Sequence, residues 1–194
     1  HLALGYITGK VTSKLLNVNV NIPLLFVASV ISDIDLLIPG LEHRGPTHSL
    51  IITTLLFLPT FIIYRKKATP YFIATTQHFI LGDCLTGGGG IQLLWPATVQ
   101  WYGIGFEITS LTNILTEWTF LLTSLTIMHK TKDMRTLFQH HPSNLLLSIP
   151  IFTVLLPTLL SIPLSVPPEL IIPHLAYLTI FTISVLIDLK PNLK

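Results

Sequence analysis

Seven apolar stretches take up most of this chain of 194 residues. They run approximately over residues 2 to 16, 21 to 32, 49 to 64, 70 to 86, 111 to 128, 145 to 164 and 171 to 188. Soluble domains carry about a quarter charged residues. Here 10% are charged and 50% hydrophobic, with a mean hydropathy of +0.69. Such a chain lacks the polar surface to cover itself in water. The sequence therefore predicts an all-α fold: a polytopic membrane helical bundle of about seven helices, forming one membrane-embedded domain over 1–194. Several stretches fall short of the roughly 20 apolar residues of a full span. The first, broken by Lys10 and Lys14, reads as a short span, a re-entrant piece or an interfacial helix.

Basic residues predict an orientation. Arg65, Lys66 and Lys67 follow the third stretch; Lys130, Lys132 and Arg135 follow the fifth; Lys190 and Lys194 follow the last; Lys14 closes the first. If all seven stretches cross, these clusters share one side, which the positive-inside rule makes cytoplasmic. His1, the 33–48 run and the long 87–110 connection then share the non-cytoplasmic face. A net charge of +2 without a basic stripe gives no reason to expect nucleic acid as a partner. Cys84 is the only cysteine, so no internal disulfide forms and the redox compartment is unreadable. The opening residues show no charged n-region, apolar h-region or cleavage site of a signal peptide.

The run SDIDLLIPGLEHRGPTHSL places Asp33, Asp35, His43, Arg44, Thr47 and His48 between two apolar stretches. Ionisable groups at a bilayer edge are costly, so a dense group of them marks a functional site. Carboxylate oxygen and imidazole nitrogen are the usual ligands of zinc and similar ions, and arginine suits a phosphate or carboxylate. Asp33 and Asp35 would diverge on a regular helix, yet irregular backbone before Pro39 lets both approach one site. At a helix C-terminus they oppose the dipole, so something positive must compensate. The alternative is a solvated helix end. His48, with Thr47 beside it as an N-cap neighbour, is expected as a ligand. His43 either ligates or supports a ligand by hydrogen bonding.

A second group, QHFILGDCLT, sets His78 and Asp83 inside an apolar helix, where a charged Asp needs a partner. The two are five residues apart rather than the four that stacks ligands on one face. A local π-type bulge would restore their alignment. Otherwise one ligates and the other supports. His1 falls on the same face and is either a ligand or a loose terminus. Glu117 could complete a second metal site, act as a general base or pair with a basic residue. Gly87 to Gly90 is either a bare turn or a backbone-lined ligand loop. Trp95 and Trp101 suit an interfacial aromatic belt. His129, His140 and His141 read as surface residues, and His174 says little.

The pieces from His1 to Gly5, SDIDLLIPG, HRGPTHSL, and HFILGDCLT followed by QLLWP resemble the YdjM family over roughly the first 100 residues. That family comprises LexA-binding, inner-membrane-associated proteins grouped with metal-dependent hydrolases. It usually spaces the later His and Asp by four; this chain has five. The family is in turn distantly similar to zinc-dependent phospholipase C and P1-type nucleases, all-helical enzymes that cleave phosphoesters with clustered zinc. Asp33, His48, His78 and Asp83 follow the order of their main metal site. His1 is a loose counterpart of their N-terminal ligand, and Asn113 to Glu117 is the nearest shadow of their second His-x-x-x-acid helix.

The expectation is a divalent ion, zinc by its imidazole ligands, held by Asp33, His48, His78 and Asp83. Asp35 and His43 are additional or supporting ligands. A metal-activated water would cleave a phosphoester or lipid headgroup, with Arg44 stabilising charge on the phosphate. The competing class is a non-catalytic membrane subunit or scaffold holding a structural metal or a salt-bridge cluster around Arg44. Transport fits less well, because the polar residues gather on one face.

Overall fold

Helix α1 (Leu2–Leu15) carries Gly5 and Gly9 one turn apart. A Cβ at Gly5 would run into Ser29, and one at Gly9 into Leu25. These glycines let α1 lie directly on α2 (Ile22–Ala28), in the manner of small-residue helix contacts in membranes. Asn21 starts α2, its side chain accepting from the Leu24 amide at 3.0 Å, with Pro23 in the first turn. The computed structural model describes residues 1–85, 90–162 and 165–189.

After α2 the chain passes through a 3₁₀ turn, Ile31–Leu37, and a second short one, Pro46–His48. Ser49 caps α3 (Leu50–Tyr64) by accepting from the Ile51 and Ile52 amides. α4 (Thr69–Gln77) runs on into a π-helical turn, His78–Asp83. α5 (Leu111–Lys130) and the short α6 (Asp133–Leu137) precede α7 (Pro142–Leu159) and α8 (Pro168–Leu189). No strand forms among the described residues beyond one isolated bridge, Ile91 with Tyr102. Tyr6, Phe26, Tyr177 and Phe181 form the centre of the core. Phe26 meets the rings of Tyr6, Tyr177 and Phe181 at 5.3, 5.8 and 4.9 Å. Such pairs add about 0.5–1.5 kcal/mol each beyond their area, and here they tie α1 and α2 to α8.

All seven apolar stretches return as helical segments, and they alternate between two ends of the molecule. At one end lie His1, the two 3₁₀ turns, the close of α4 and the start of α5. At the other, Lys66 reaches the Leu16 carbonyl (3.4 Å), Lys10 pairs with Asp133 (2.8 Å), and Asp188 accepts from the His141 amide (2.8 Å). The basic clusters 65–67 and 130–135 belong to this second end; Lys190 and Lys194 lie outside the described residues.

The expected seven crossings are not all supported by length. Among the described residues only α7 and α8 are both long and apolar enough to span a bilayer. Their 18 and 22 residues give about 27 and 33 Å, against a hydrocarbon core of roughly 30 Å. α1 and α3, with 14 and 15 residues, reach only about 21 and 22 Å. α2 stops at Ala28 because the chain turns there to present Asp33 and Asp35. α5 is long enough, but Asn113, Glu117 and several threonines make it too polar. α3 nonetheless exposes Leu55, Leu56, Ile62 and Ile63, a surface that demands an apolar environment.

Candidate metal centre

Three backbone irregularities build the site. In the 3₁₀ turn Ile31–Leu37, the side chains of Asp33 and Asp35 leave in different directions, and both are buried. They converge on the two nitrogens of one ring: Asp33 faces His48 Nε2 (3.5 Å) and Asp35 faces Nδ1 (3.2 Å). The HRGPTHS loop that carries His48 turns at Arg44, which adopts a left-handed conformation (φ 66°) uncommon outside glycine. The QLLWP segment braces that loop. Gln92 N–H donates to the Arg44 carbonyl at 3.0 Å, Leu50 N–H to the Leu93 carbonyl at 2.9 Å, and the Ser49 hydroxyl to the Trp95 carbonyl at 2.5 Å. Thr47 is not a helix cap; its hydroxyl donates to Asp35 at 2.6 Å, while Ser49 does the capping.

The third irregularity is the π turn. Cys84 N–H donates five residues back, to Phe79 C=O, at 2.9 Å. The extra residue in this turn brings His78 and Asp83 onto one face despite their five-residue spacing. His78 Nε2 then lies 3.2 Å from Asp83 Oδ2 and 3.1 Å from Asp33 Oδ1. Its Nδ1 donates to the Ser29 carbonyl (2.9 Å), which fixes the ring and leaves Nε2 facing the carboxylates. Asp35 orients His48 in the same manner through Nδ1. His43 Nδ1 holds the other oxygen of Asp35, at 3.0 Å.

One ligand atom each from Asp33, His48, His78 and Asp83 therefore lies within 4.8 Å of the others, and all four residues are buried. The nitrogen–oxygen separations of 3.1 to 3.5 Å match the ~3.3–3.4 Å ligand spacing around a tetrahedral ion bound at ~2.0–2.1 Å. His48 Nε2 and Asp83 Oδ2, 3.3 Å apart, are buried without a hydrogen-bond partner. Buried polar atoms are nearly always satisfied, so two such atoms facing one point fit a metal ion. Asp35, His43 and His48 form a second compact group, but it shares His48 and is closed by hydrogen bonds.

Without an ion the carboxylates draw protons onto the rings. Burial alone would lower the His48 pKa; the facing carboxylates of Asp33, Asp35 and Asp83 instead push it up to about 11. Burial likewise opposes charge on His1, yet Asp83 raises it to about 9. Burial would raise Asp33 and Asp35, but the facing histidines hold both well below the usual carboxylate range.

The cluster opens on one side to a cavity of about 240 Å³. Asp33, Asp83, His1, His43, Arg44 and Glu117 reach it, while Leu121, Val154, Leu155 and Val166 give it apolar walls. Arg44 lies closer to the ligands than expected, with a guanidinium nitrogen 2.9 Å from Asp83 Oδ1. His1 joins the edge of the cluster rather than its centre, with Nε2 3.5 Å from the same oxygen and its ring 4.5 Å from that of His78. Glu117 stands apart from the four donors; its nearest charged neighbour is the His1 main-chain nitrogen, at 3.8 Å.

Several contributors were not read from sequence. His174 and Tyr177 line the cavity from α8; a histidine near the start of an apolar helix was the only hint. Gly82 leaves room for the His1 ring, whose place a Cβ there would take. Of the Gly87–Gly90 run, offered as a bare turn or a ligand loop, residues 87–89 lie outside the described residues; Gly90 adopts a left-handed conformation (φ 73°) against the Tyr102 main chain. Neither the curated proteins nor the solved structures include a match to this chain. The family model described as YdjM inner membrane protein matches residues 1–164. That is 164 of 194 residues and takes in every candidate ligand. The chain belongs to the YdjM inner membrane protein family.

Proposed function

We propose that this protein is a membrane-embedded, metal-dependent hydrolase of a phosphoester, with a lipid headgroup as the substrate that best suits its setting. The observation that carries this reading is the meeting of Asp33, His48, His78 and Asp83, with two buried partnerless atoms, at the edge of a cavity. Zinc is the ion of choice, since two of the four donors are imidazoles. When bound, such an ion supplies Lewis acidity and activates water near neutral pH.

The chain's own residues then divide the work. Asp35 and the Ser29 carbonyl hold the two imidazoles in the tautomer that points Nε2 inward. Arg44, fixed by Asp83 and by its braced main chain, places a cationic fork at the cavity wall, where a phosphate can meet it. Glu117 is the one carboxylate on that wall outside the ligand group and hydrogen-bond network, and suits a general base. The apolar walls exclude water and accept the alkyl part of an amphiphile. We further propose one domain whose seven alternating segments cross or enter the bilayer, with the basic end cytoplasmic and the metal centre on the opposite face.

The experiment is metal analysis of the purified protein, joined to hydrolysis of a phosphoester panel with and without added zinc. A stoichiometric metal and zinc-dependent turnover are expected. A second reading, a scaffold with a structural metal or an ion-pair cluster, is favoured by the Arg44–Asp83 contact. Stoichiometric metal without turnover on any phosphoester would give that reading precedence.

A further inference from the structure

A groove lies beneath α3, apart from the metal centre. Two adjoining cavities of about 340 and 560 Å³ share Ile31, Phe57 and Thr75 as walls. Along α3 it is lined by Ile52, Thr53, Leu56, Phe57, Thr60 and Tyr64, which recur at the three- and four-residue spacing of one helix face. Residues 53 to 64 span about 17 Å at 1.5 Å per residue. α4 adds Tyr71 and Thr75 to the walls and holds α3 through Phe72, whose ring meets those of Phe57 and Phe61 at 5.3 and 5.4 Å. Leu24, Val27 and Ala28 of α2 form the opposite wall.

The lining offers little to water. The hydroxyls of Thr60 and Thr75 donate to backbone carbonyls of Phe57 and Ala28, and that of Thr47 to Asp35. No carboxylate lines either cavity. The mouth at the basic end is different. Lys67 lines it, is exposed, and has no ion-pair partner among the described residues; Arg65 and Lys66 adjoin it. An apolar slot of this length, closed by an unneutralised cation beside an exposed tyrosine, matches an alkyl chain joined to an anionic headgroup.

We propose that this groove binds one anionic glycerophospholipid, its acyl chain beneath α3 and its phosphate on Lys67. The assignment does not depend on the metal or on catalysis. It also explains how α3, with only Thr53 buried along its length, keeps a fixed position: the lipid completes its packing against α2.

Native mass spectrometry of the delipidated full chain, titrated with dioleoyl phosphatidylglycerol and dioleoyl phosphatidylcholine, tests this. One phosphatidylglycerol should stay bound under activation that strips other lipids, with about a fivefold preference over phosphatidylcholine from the basic mouth. Lys67→Gln should bring that preference close to unity. Leu24→Trp and Thr60→Trp, which fill the slot from either wall, should lose the retained lipid while keeping wild-type helicity and metal content. Asp83→Asn should bind lipid as the wild type does, so failure of the metal reading leaves this result untouched. Equal retention in the folded tryptophan variants would overturn the proposal. So would an unchanged preference in Lys67→Gln, or a dimer whose contact protects α3 and excludes lipid.

Discussion

The molecule buries acidic groups at both ends, and the two arrangements differ in one respect. At the basic end Asp133 accepts from the Tyr6 hydroxyl at 2.6 Å and pairs with Lys10 at 2.8 Å. Each charge there has its partner, and the group explains itself as a clamp between α1 and the α5–α6 turn. At the other end, Asp33 and Asp83 face two imidazoles that are each already tied through Nδ1. Acceptors outnumber donors, and His48 Nε2 and Asp83 Oδ2 are left without hydrogen bonds. Buried polarity alone therefore does not mark a ligand site. Two partnerless atoms facing one point do: a lone one, such as Asp188 Oδ2 at the basic end, identifies no shared ligand, whereas His48 Nε2 and Asp83 Oδ2, 3.3 Å apart, fit a cation shared by several lone pairs.

The sharpest way to break this contrast is to remove one acceptor from each end. Asp83→Asn takes a ligand atom from the centre, and metal content should drop from stoichiometric to about a tenth or less, in line with the 10–100-fold affinity losses seen even when supporting residues of metal sites are changed. Full metal retention in that variant would sink the four-ligand assignment. Next in size is Arg44→Lys, which keeps the charge but loses the planar fork. Phosphoester turnover should fall by about one to three powers of ten, or roughly 1.4–4 kcal/mol of transition-state stabilisation, with metal content held. If Arg44→Lys sheds its metal instead, the contact with Asp83 is structural and the scaffold reading gains.

Asp133→Asn probes the balanced end. Its cost should appear in stability alone, about 2 kcal/mol for a hydrogen bond and ion pair to a charged group, with metal content unchanged. A metal loss in Asp133→Asn would mean the two ends are coupled and the contrast is false.

The same contrast explains what was readable from sequence. The residue types and order of Asp33, His48, His78 and Asp83 were enough to nominate a site, since costly groups in apolar surroundings stand out. The spacing of five left two readings, a π turn or one ligand with one supporting residue; the structure has the π turn, whose inserted residue aligns His78 with Asp83. The roles of Asp35 and Arg44 were not separable, because which carboxylate meets which nitrogen depends on how the 3₁₀ turn and the HRGPTHS loop approach each other. That approach is set by main-chain bonds to Gln92 and Leu93, some 50 residues away. The Gly5/Gly9 contact is present in the sequence as a four-residue spacing of glycines, but spacing alone does not say which helix packs there, and Leu25 and Ser29 of α2 meet it only in the folded chain. Segment alternation followed from hydropathy; the number of true spans did not, since helix length depends on where the site forces the backbone to turn.

Acidity sharpens the contrast further. In the metal-free protein His1 is raised from 6.5 to about 9, and His48 higher still. Their contribution to stability is complete below pH 6.5 and is lost as pH rises through those folded values. Asp33 and Asp35 are lowered, so their contribution is present above about pH 4 and lost as pH falls below it. Thermal unfolding of the metal-free protein should therefore be highest between about pH 4 and 6.5 and decline toward pH 9. With metal bound the His48 ring is held neutral, and the part of the alkaline decline that it causes should vanish. Equal alkaline decline with and without metal would contradict the shared use of these lone pairs.

The smallest effect concerns His1, which touches Asp83 from outside the four donors. Gly82→Ala places a methyl where the His1 ring lies. The His1 side chain is 29% exposed at the cavity edge, so it can swing away at a cost below the ~1–3 kcal/mol of overpacking a closed core. If the centre is complete with Asp33, His48, His78 and Asp83, Gly82→Ala should retain full metal content, with a shift in melting temperature of only a few degrees. If His1 is instead a ligand, displacing its ring removes one bond to the ion, and metal affinity should drop by about 10–100-fold. Competition with a zinc-sensitive dye separates the two outcomes, because a displaced wall residue leaves the affinity unchanged and a lost ligand does not.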